Sequence, residues 1–232
     1  MPEICNVYRL GKTPYCGSWN LQRELVERRK AGECSDTLLL LEHPSVITIG
    51  RNGNRQHLLS SADTLKKLGI EVCETDRGGD VTYHGPGQLV GYPILNLSGI
   101  RKDVVWYVRT LEEALIRAAL DFGVRAQRRE GLTGVWVNRA KIAAIGIHIS
   151  RWVTSHGFAL NLGTDLSYFR HIVPCGITDC PITSFRELLG AEVARSLVEE
   201  SLVQHLGDLL GLEMRFARPE SLERRQPCPL MS

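Results

Sequence analysis

The sequence predicts one α/β domain built on a mixed or antiparallel sheet flanked by helices, and three observations carry that prediction. The middle third is rich in strand patterns, with GVWVNRAKIAAIGIHIS over 134–150 and TSHGFALNL over 154–162. One long stretch after Asp103 has a helical period with a single apolar stripe, so it must lie against something. No Pro-, Gly- or Ser-rich linker and no internal repeat interrupts the 232 residues, which are enough to bury a substantial core. The domain is expected over 1–217, with a polar, Pro-rich tail over 218–232 that frays.

In chain order, Ser18 is placed to cap a helix carrying Trp19, Leu21, Leu25 and Val26, which Gly32 stops. LLLLEHPSVITIG (38–50) reads as one or two buried strands broken at His43-Pro44. Ser61 or Asp63 starts a short helix ending at Gly69, and 70–75 follows as a strand. After Asp103, Val104, Val108, Leu111, Leu115, Ala119 and Phe122 recur at three- and four-residue steps until Gly123. Residues 134–150 read as a hairpin turning near Asn138-Arg139, with its second strand from Lys141, and 154–162 form the next strand. A last amphipathic helix covers 192–210.

Apolar content of 43% and charged content of 23% are those of a globular protein. A formal net charge of +2 argues against a nucleic-acid binder, which concentrates cations on one surface. Two local basic clusters, Arg28-Arg29-Lys30 and Arg125 with Arg128 and Arg129, read either as solvated faces or as docking sites for an acidic partner. The seven cysteines have no framework spacing. The first ten residues lack a leader's apolar core, and no apolar run reaches membrane-spanning length. The expectation is a cytoplasmic protein with no membrane and no nucleic acid among its partners.

Three segments carry chemistry. RGGDVTYHGPGQ (77–88) holds four glycines and a proline, which suits a loop whose backbone closes on a ligand. It matches neither a Walker loop nor a dinucleotide fingerprint. In KIAAIGIHI, strict alternation puts Lys141 on the face of Ala143, Ile145, Ile147 and Ile149, and Ala144, Gly146 and His148 on the other. A strand-end lysine commonly snorkels to water; here the alternative is an ammonium at a cleft wall, with small residues leaving space for a ligand. Cys175 sits between Pro174 and Gly176, a context that presents a thiol rather than buries it. A free thiol titrates near 8.5, and a neighbouring cation can bring it to about 7 or below; Lys141 is the candidate cation. His171, Cys175 and Cys180 form an incomplete ligand set, so no metal is expected.

Together RGGDVTYHGPGQ, RAKIAAIGI, TSHGFALNL and IVPCGI, in this order and spacing, resemble the octanoyltransferases of lipoic acid biosynthesis, the lipoate-protein ligase B family. The resemblance runs from about residue 5 to residue 215. It implies the mixed sheet and flanking helices shared with biotin and lipoate ligases, a class II synthetase-like catalytic domain. It also implies a catalytic Cys175/Lys141 pair and an acyl site formed by Arg77, Gly78, Gly79, Asp80, Val81, Thr82, Tyr83 and His84 with Ala144, Ile145, Gly146, Gly157, Phe158 and Ala159. The implied donor is octanoyl-acyl carrier protein. The implied acceptors are apo lipoyl domains of 2-oxoacid dehydrogenases and the glycine cleavage H protein, served by a monomer with no cofactor, neither ATP nor metal. Oxyanion donors are sought in the Gly78-Gly79 region or after Cys175. Three rivals differ in chemistry: an ATP-dependent ligase on the same scaffold, a passive acyl-carrier-binding module and a thiol-dependent hydrolase.

Overall fold

The computed structural model describes residues 2–174 and 180–222. Within it, alternating apolar segments pair into one large sheet. Its strands are β1 (Glu3–Lys12), β2 (Asp36–Glu42), β6 (Gln88–Ile94), β7 (Gln127–Arg129), β8 (Leu132–Val137), β9 (Ala140–Ser150), β10 (Val153–Asn161) and β11 (Leu212–Ala217). Their spatial order is β11-β1-β2-β6-β10-β9-β8-β7. β1 runs parallel to both β11 and β2, and every later ladder across that sheet is antiparallel. The fold is therefore a mixed, largely antiparallel sheet between helices.

The break at His43-Pro44 does more than divide a strand. It carries the chain from β2 into a separate three-stranded sheet, β3 (Val46–Ile49), β4 (Glu71–Glu74) and β5 (Val81–His84), ordered β4-β3-β5. Part of the glycine-rich segment is thus an edge strand, antiparallel to β3, rather than loop throughout. Beyond it, Gln88–Ile94 is a central strand of the large sheet, between β2 and β10.

Helices cover the two faces unequally. α3 (Val104–Asp121) and α5 (Arg195–Leu210) pack over one face, where Tyr107, Leu111, Leu115, Leu202 and Leu206 meet Val7, Leu38, Phe158 and Leu160. α1 (Tyr15–Lys30) covers the other, setting Leu25 and Val26 against Leu39, Leu41, Val90 and Ala159. Asp103 caps α3 by accepting from the Trp106 N–H at 2.9 Å, and Gly123 leaves it at φ 79°. The buried stripe starts later than the spacing suggested, at Tyr107; Val104 and Val105 are exposed. α2 (Ala62–Lys67) is capped by Ser61 and followed by Gly69 at φ 67°.

Ser18 is not a cap. α1 begins at Tyr15, because Pro14 ends the preceding extended chain with a preset φ and its carbonyl accepts the Ser18 N–H at 3.1 Å. Ser18 is buried inside the helix and donates its hydroxyl to the Tyr15 carbonyl. A short α4 (Phe185–Leu189), capped by Ser184, precedes α5, which starts at Arg195 rather than 192. Of the tail from 218, residues 219–221 form a 3-10 turn and Leu222 packs against the α1-side core; residues 223–232 lie outside the described residues.

Candidate active site

The α1 face of the sheet is hollow where β9 and β10 carry small residues. Ala144 pairs with Ala159 and Gly146 with Gly157, so two successive cross-strand pairs make a floor with almost no side chains. The chain from Arg77 lies across it, with the Gly78 N–H donating to the Ile147 carbonyl at 2.8 Å. A Cβ on Gly146 would stand 2.8 Å from the Gly78 carbonyl oxygen, so this close approach requires glycine. Arg77 is buried and holds its own loop in shape. Its guanidinium donates to the carbonyls of Thr48, Gly78 and Asp80 at 2.7–3.0 Å and to the Thr48 hydroxyl.

The resulting cavity is lined by Arg77, Gly79, Asp80, Val81, Thr82, His84, Ala144, Ile145, Gly146, Gly157, Phe158 and Ala159, all singled out from sequence. Gly78 and Tyr83 do not line it. Gly78 spends its N–H on β9. Alternation along β5 sends Tyr83 into the core of the small sheet, where its ring stacks on Tyr168 at 5.1 Å. The cavity also takes Tyr15 from α1, Tyr92 from β6 and His156 from β10, which the sequence reading did not include.

Behind these lies a buried polar bed. His43 donates Nδ1–H to the Thr13 carbonyl at 2.7 Å and accepts from the Tyr92 hydroxyl at 2.8 Å. Burial pushes its pKa down to about 4. His84 donates Nδ1–H to Gln88 Oε1, and burial, then the neighbouring His43 and Arg77, push it down to about 3. Both rings are therefore neutral hydrogen-bonding groups at neutral pH. Gln88 continues the chain to Asn161, and Asn161 to the Thr183 carbonyl.

A second, smaller cavity adjoins the first through Thr82, Ala144 and Ala159, and it contains Lys141. Strict alternation would have put Lys141 on the opposite face. It reaches this one because the β8–β9 register shifts: Val135 pairs with Ala143 but Trp136 with Lys141, leaving Ile142 as an extra residue. That bulge reverses the parity of everything before it. Lys141 is 4% exposed, with its Nζ 4.7 Å from the centre of the buried Trp136 ring. Gly134, at φ 125°, gives its N–H to the buried carboxylate of Glu112 at 3.0 Å. A Cβ there would stand 2.7 Å from the Ala143 carbonyl and 3.3 Å from Lys141 Cε.

Gln88, Asn161, Phe169, Pro174 and Ile182 complete this second cavity. Cys175 lies outside the described residues, but the chain on both sides of 175–179 is tied down. Val173 donates to the His57 carbonyl at 2.8 Å, Lys141 N–H to Pro181 at 2.8 Å, and Thr183 N–H to the Lys141 carbonyl at 3.0 Å. His171 is engaged through Nδ1 with the Ser60 hydroxyl. Among the described residues, no cluster of three or more His, Cys, Asp or Glu is arranged to hold a metal. In the basic cluster near 125–129, Arg125 is exposed. Arg128 pairs with Glu112 and Glu113, and Arg129 lies 4.7 Å over Trp136.

The sequence matches the profile of the lipoyl protein ligase A/B catalytic domain over residues 14–207. The chain belongs to that family. Among relatives of the family member described here, the octanoyltransferase of Solibacter usitatus is 53% identical over 210 residues, covering 90% of this chain and 94% of that protein. The octanoyltransferase of Acidobacterium capsulatum is 55% identical over 223 residues, covering 90% and 91%. In fold, this member of the family is similar to a crystal structure of lipoate-protein ligase A bound with ATP, with TM-score 0.77, 18% identity and coverage of 94% and 92%. It also resembles the biotin protein ligase of Aquifex aeolicus, with TM-score 0.52, 13% identity and coverage of 89% and 69%. At those identities the likeness concerns the fold.

Proposed function

We propose that this chain is an octanoyltransferase that moves an octanoyl or lipoyl group from an acyl carrier protein, through a thioester on Cys175, to a lysine of apo lipoyl domains. The observation that carries the reading is the small-residue trough joined to the Lys141 cavity. Pro174, the chain neighbour of Cys175, lines that cavity, and relatives at 53–55% identity bear the octanoyltransferase name.

In the first half-reaction the Cys175 thiolate attacks the carbonyl carbon of the acyl thioester. The C–S bond to the carrier breaks, and the carrier thiol leaves with a proton. In the second, the acceptor's ε-amine attacks the acyl-enzyme, an amide forms, and the Cys175 thiol is regenerated. Exchange between thioesters is nearly balanced and transfer to an amide is downhill, so neither ATP nor a metal enters. Lys141 supplies the cation that favours the thiolate and a group within the cavity for passing protons. The Gly78 N–H is bonded to the Ile147 carbonyl, so within this reading the oxyanion falls to Gly79 or to the backbone after Cys175. Acyl carrier protein as donor, lipoyl domains of 2-oxoacid dehydrogenases and the glycine cleavage H protein as acceptors, a monomeric state and a cytoplasmic setting belong to the same reading. No helix among the described residues is long and apolar enough to cross a membrane.

Intact-protein mass spectrometry after mixing with octanoyl-acyl carrier protein tests the scheme. The expected result is one added octanoyl group on the wild type and none on Cys175→Ala. An unmodified wild type that lipoylates with free acid and ATP would return the chain to the ligase mechanism.

A further inference from the structure

His156 breaks the rules of the strand that carries it. By alternation it belongs with Phe158 and Leu160, which face the α3 core. Instead its backbone adopts φ 55°, while the register stays intact, His156 opposite Ile147 and Gly157 opposite Gly146. The ring meets groups of the cavity face: Trp19 at 6.3 Å, Tyr92 at 6.2 Å, and Asp76, whose Oδ1 accepts Nε2–H at 2.8 Å. The backbone N–H donates to Gln22 of α1 at 2.7 Å. Nδ1 is buried without a hydrogen-bond partner among the described residues. A left-handed residue and an unsatisfied buried nitrogen are both costs that a purely structural position would shed.

We propose that His156 is the end stop of the acyl trough and sets the chain length the enzyme accepts. This rests on the octanoyltransferase reading above. The trough starts beside Lys141 and Asn161 and runs along β10 past Ala159 to Gly157, immediately before His156. Those four residue steps span about 14 Å. An extended octanoyl group, seven C–C bonds of about 1.5 Å in zigzag, takes roughly 9–10 Å with its terminal methyl. The remainder is about 4–5 Å. Behind His156 stands Asp76, whose side chain is 40% exposed and also accepts from Trp19 Nε1 at 3.1 Å. Asp76 is partly exposed, so removing the ring brings the end of the trough close to solvent.

The test is acylation of Cys175 by a series of acyl thioesters from hexanoyl to tetradecanoyl, comparing wild type with His156→Gly and Asp76→Ala. Glycine accepts the positive φ and removes the ring. We expect the rate ratio of dodecanoyl to octanoyl to rise at least tenfold in His156→Gly, the scale on which pocket fit discriminates methylenes. Asp76→Ala, which frees the ring without deleting it, should raise the ratio about threefold. An unchanged ratio in a His156→Gly enzyme that still forms an acyl adduct overturns the proposal. Should that variant not fold, an unchanged ratio in Asp76→Ala does the same. A wild type acylated by none of the series would fail the octanoyltransferase reading instead, and the two failures are distinct.

Discussion

β9 and β10 are neighbours, and each departs from regular alternation once, at the two ends of the adjoining cavities. In β9 the departure is a bulge. An extra residue, Ile142, shifts the register and delivers Lys141 to the hollow face. In β10 the register is untouched and a single residue, His156, turns over by adopting φ 55°. The two are also secured differently. The main chain of Lys141 is clasped by Pro181 and Thr183, and the opposite strand is pinned by Glu112 at Gly134. His156 hangs on a side-chain bond to a half-exposed Asp76 and a backbone bond to Gln22. The reactive end is thus held by backbone and is hard to perturb without moving the sheet, whereas the far end is held by side chains and can be edited. That division suits an enzyme whose chemistry is fixed and whose substrate length is tuned.

The largest effect is expected at Lys141. Replacing it by methionine keeps the stem and removes charge and proton transfer together, and turnover should fall by about 10²-fold or more. Lys141→Arg separates the two roles, because it keeps a cation but does not cycle protons near neutral pH. Single-turnover rates of acyl loading and acyl release, measured separately, give the answer. Near-normal rates in Lys141→Arg would eliminate the acid/base role and leave the electrostatic one.

Trp136 should show a smaller effect at the same end. Its buried ring lies 4.7 Å from Lys141 Nζ and, equally, 4.7 Å from the Arg129 guanidinium. A cation over a desolvated indole gains about 2 kcal/mol, so the ring holds the ammonium in place as well as filling space. Trp136→Leu should lower the acyl-loading rate about tenfold with little change in KM for the carrier. Trp136→Phe, which retains a ring face, should recover most of that loss. Equal activity in both variants, at matched melting temperatures, would reduce Trp136 to packing.

Most of the fold was legible because most elements obey one period. The helix after Asp103, the hairpin turning at Asn138, and the strands either side of His43-Pro44 follow from spacing and caps. What escaped was set by context. β1 and β11 pair with each other at the sheet edge, and nothing local announces a parallel partner some 200 residues away. Gln88–Ile94 holds Gly91 and Pro93, yet its place between β2 and β10 makes it a central strand. In the site, the glycines and alanines of the trough were visible as a composition. Of the two residues at its ends, Lys141 stood out as a lysine opening an apolar strand, and His156 did not. Alternation put Lys141 on the wrong face and gave no sign that His156 turns over, since a bulge and a left-handed residue depend on what lies across the sheet. Functional positions are where local rules are expected to fail.

The smallest predicted effect concerns stability and distinguishes the polar bed beneath the His156 end. His43, with its pKa lowered to about 4, stays neutral in the folded protein while an unfolded chain would take up a proton near 6.5. Between those values the unfolded state binds more protons, so stability rises with pH and is lost as pH falls from about 6.5 toward 4. One such histidine contributes a slope of at most about 1.4 kcal/mol per pH unit. His84, lowered to about 3, adds to the same trend. Glutamine can keep the bond that Nε2 accepts from the Tyr92 hydroxyl without titrating. Urea unfolding at pH 7 and pH 5 should therefore show a shallower acid loss in His43→Gln than in the wild type, with the difference confined to the lower pH. Parallel pH dependences in the two proteins would mean that His43 is protonated in the fold, and that the bed supporting the end stop is built from charged rather than neutral rings.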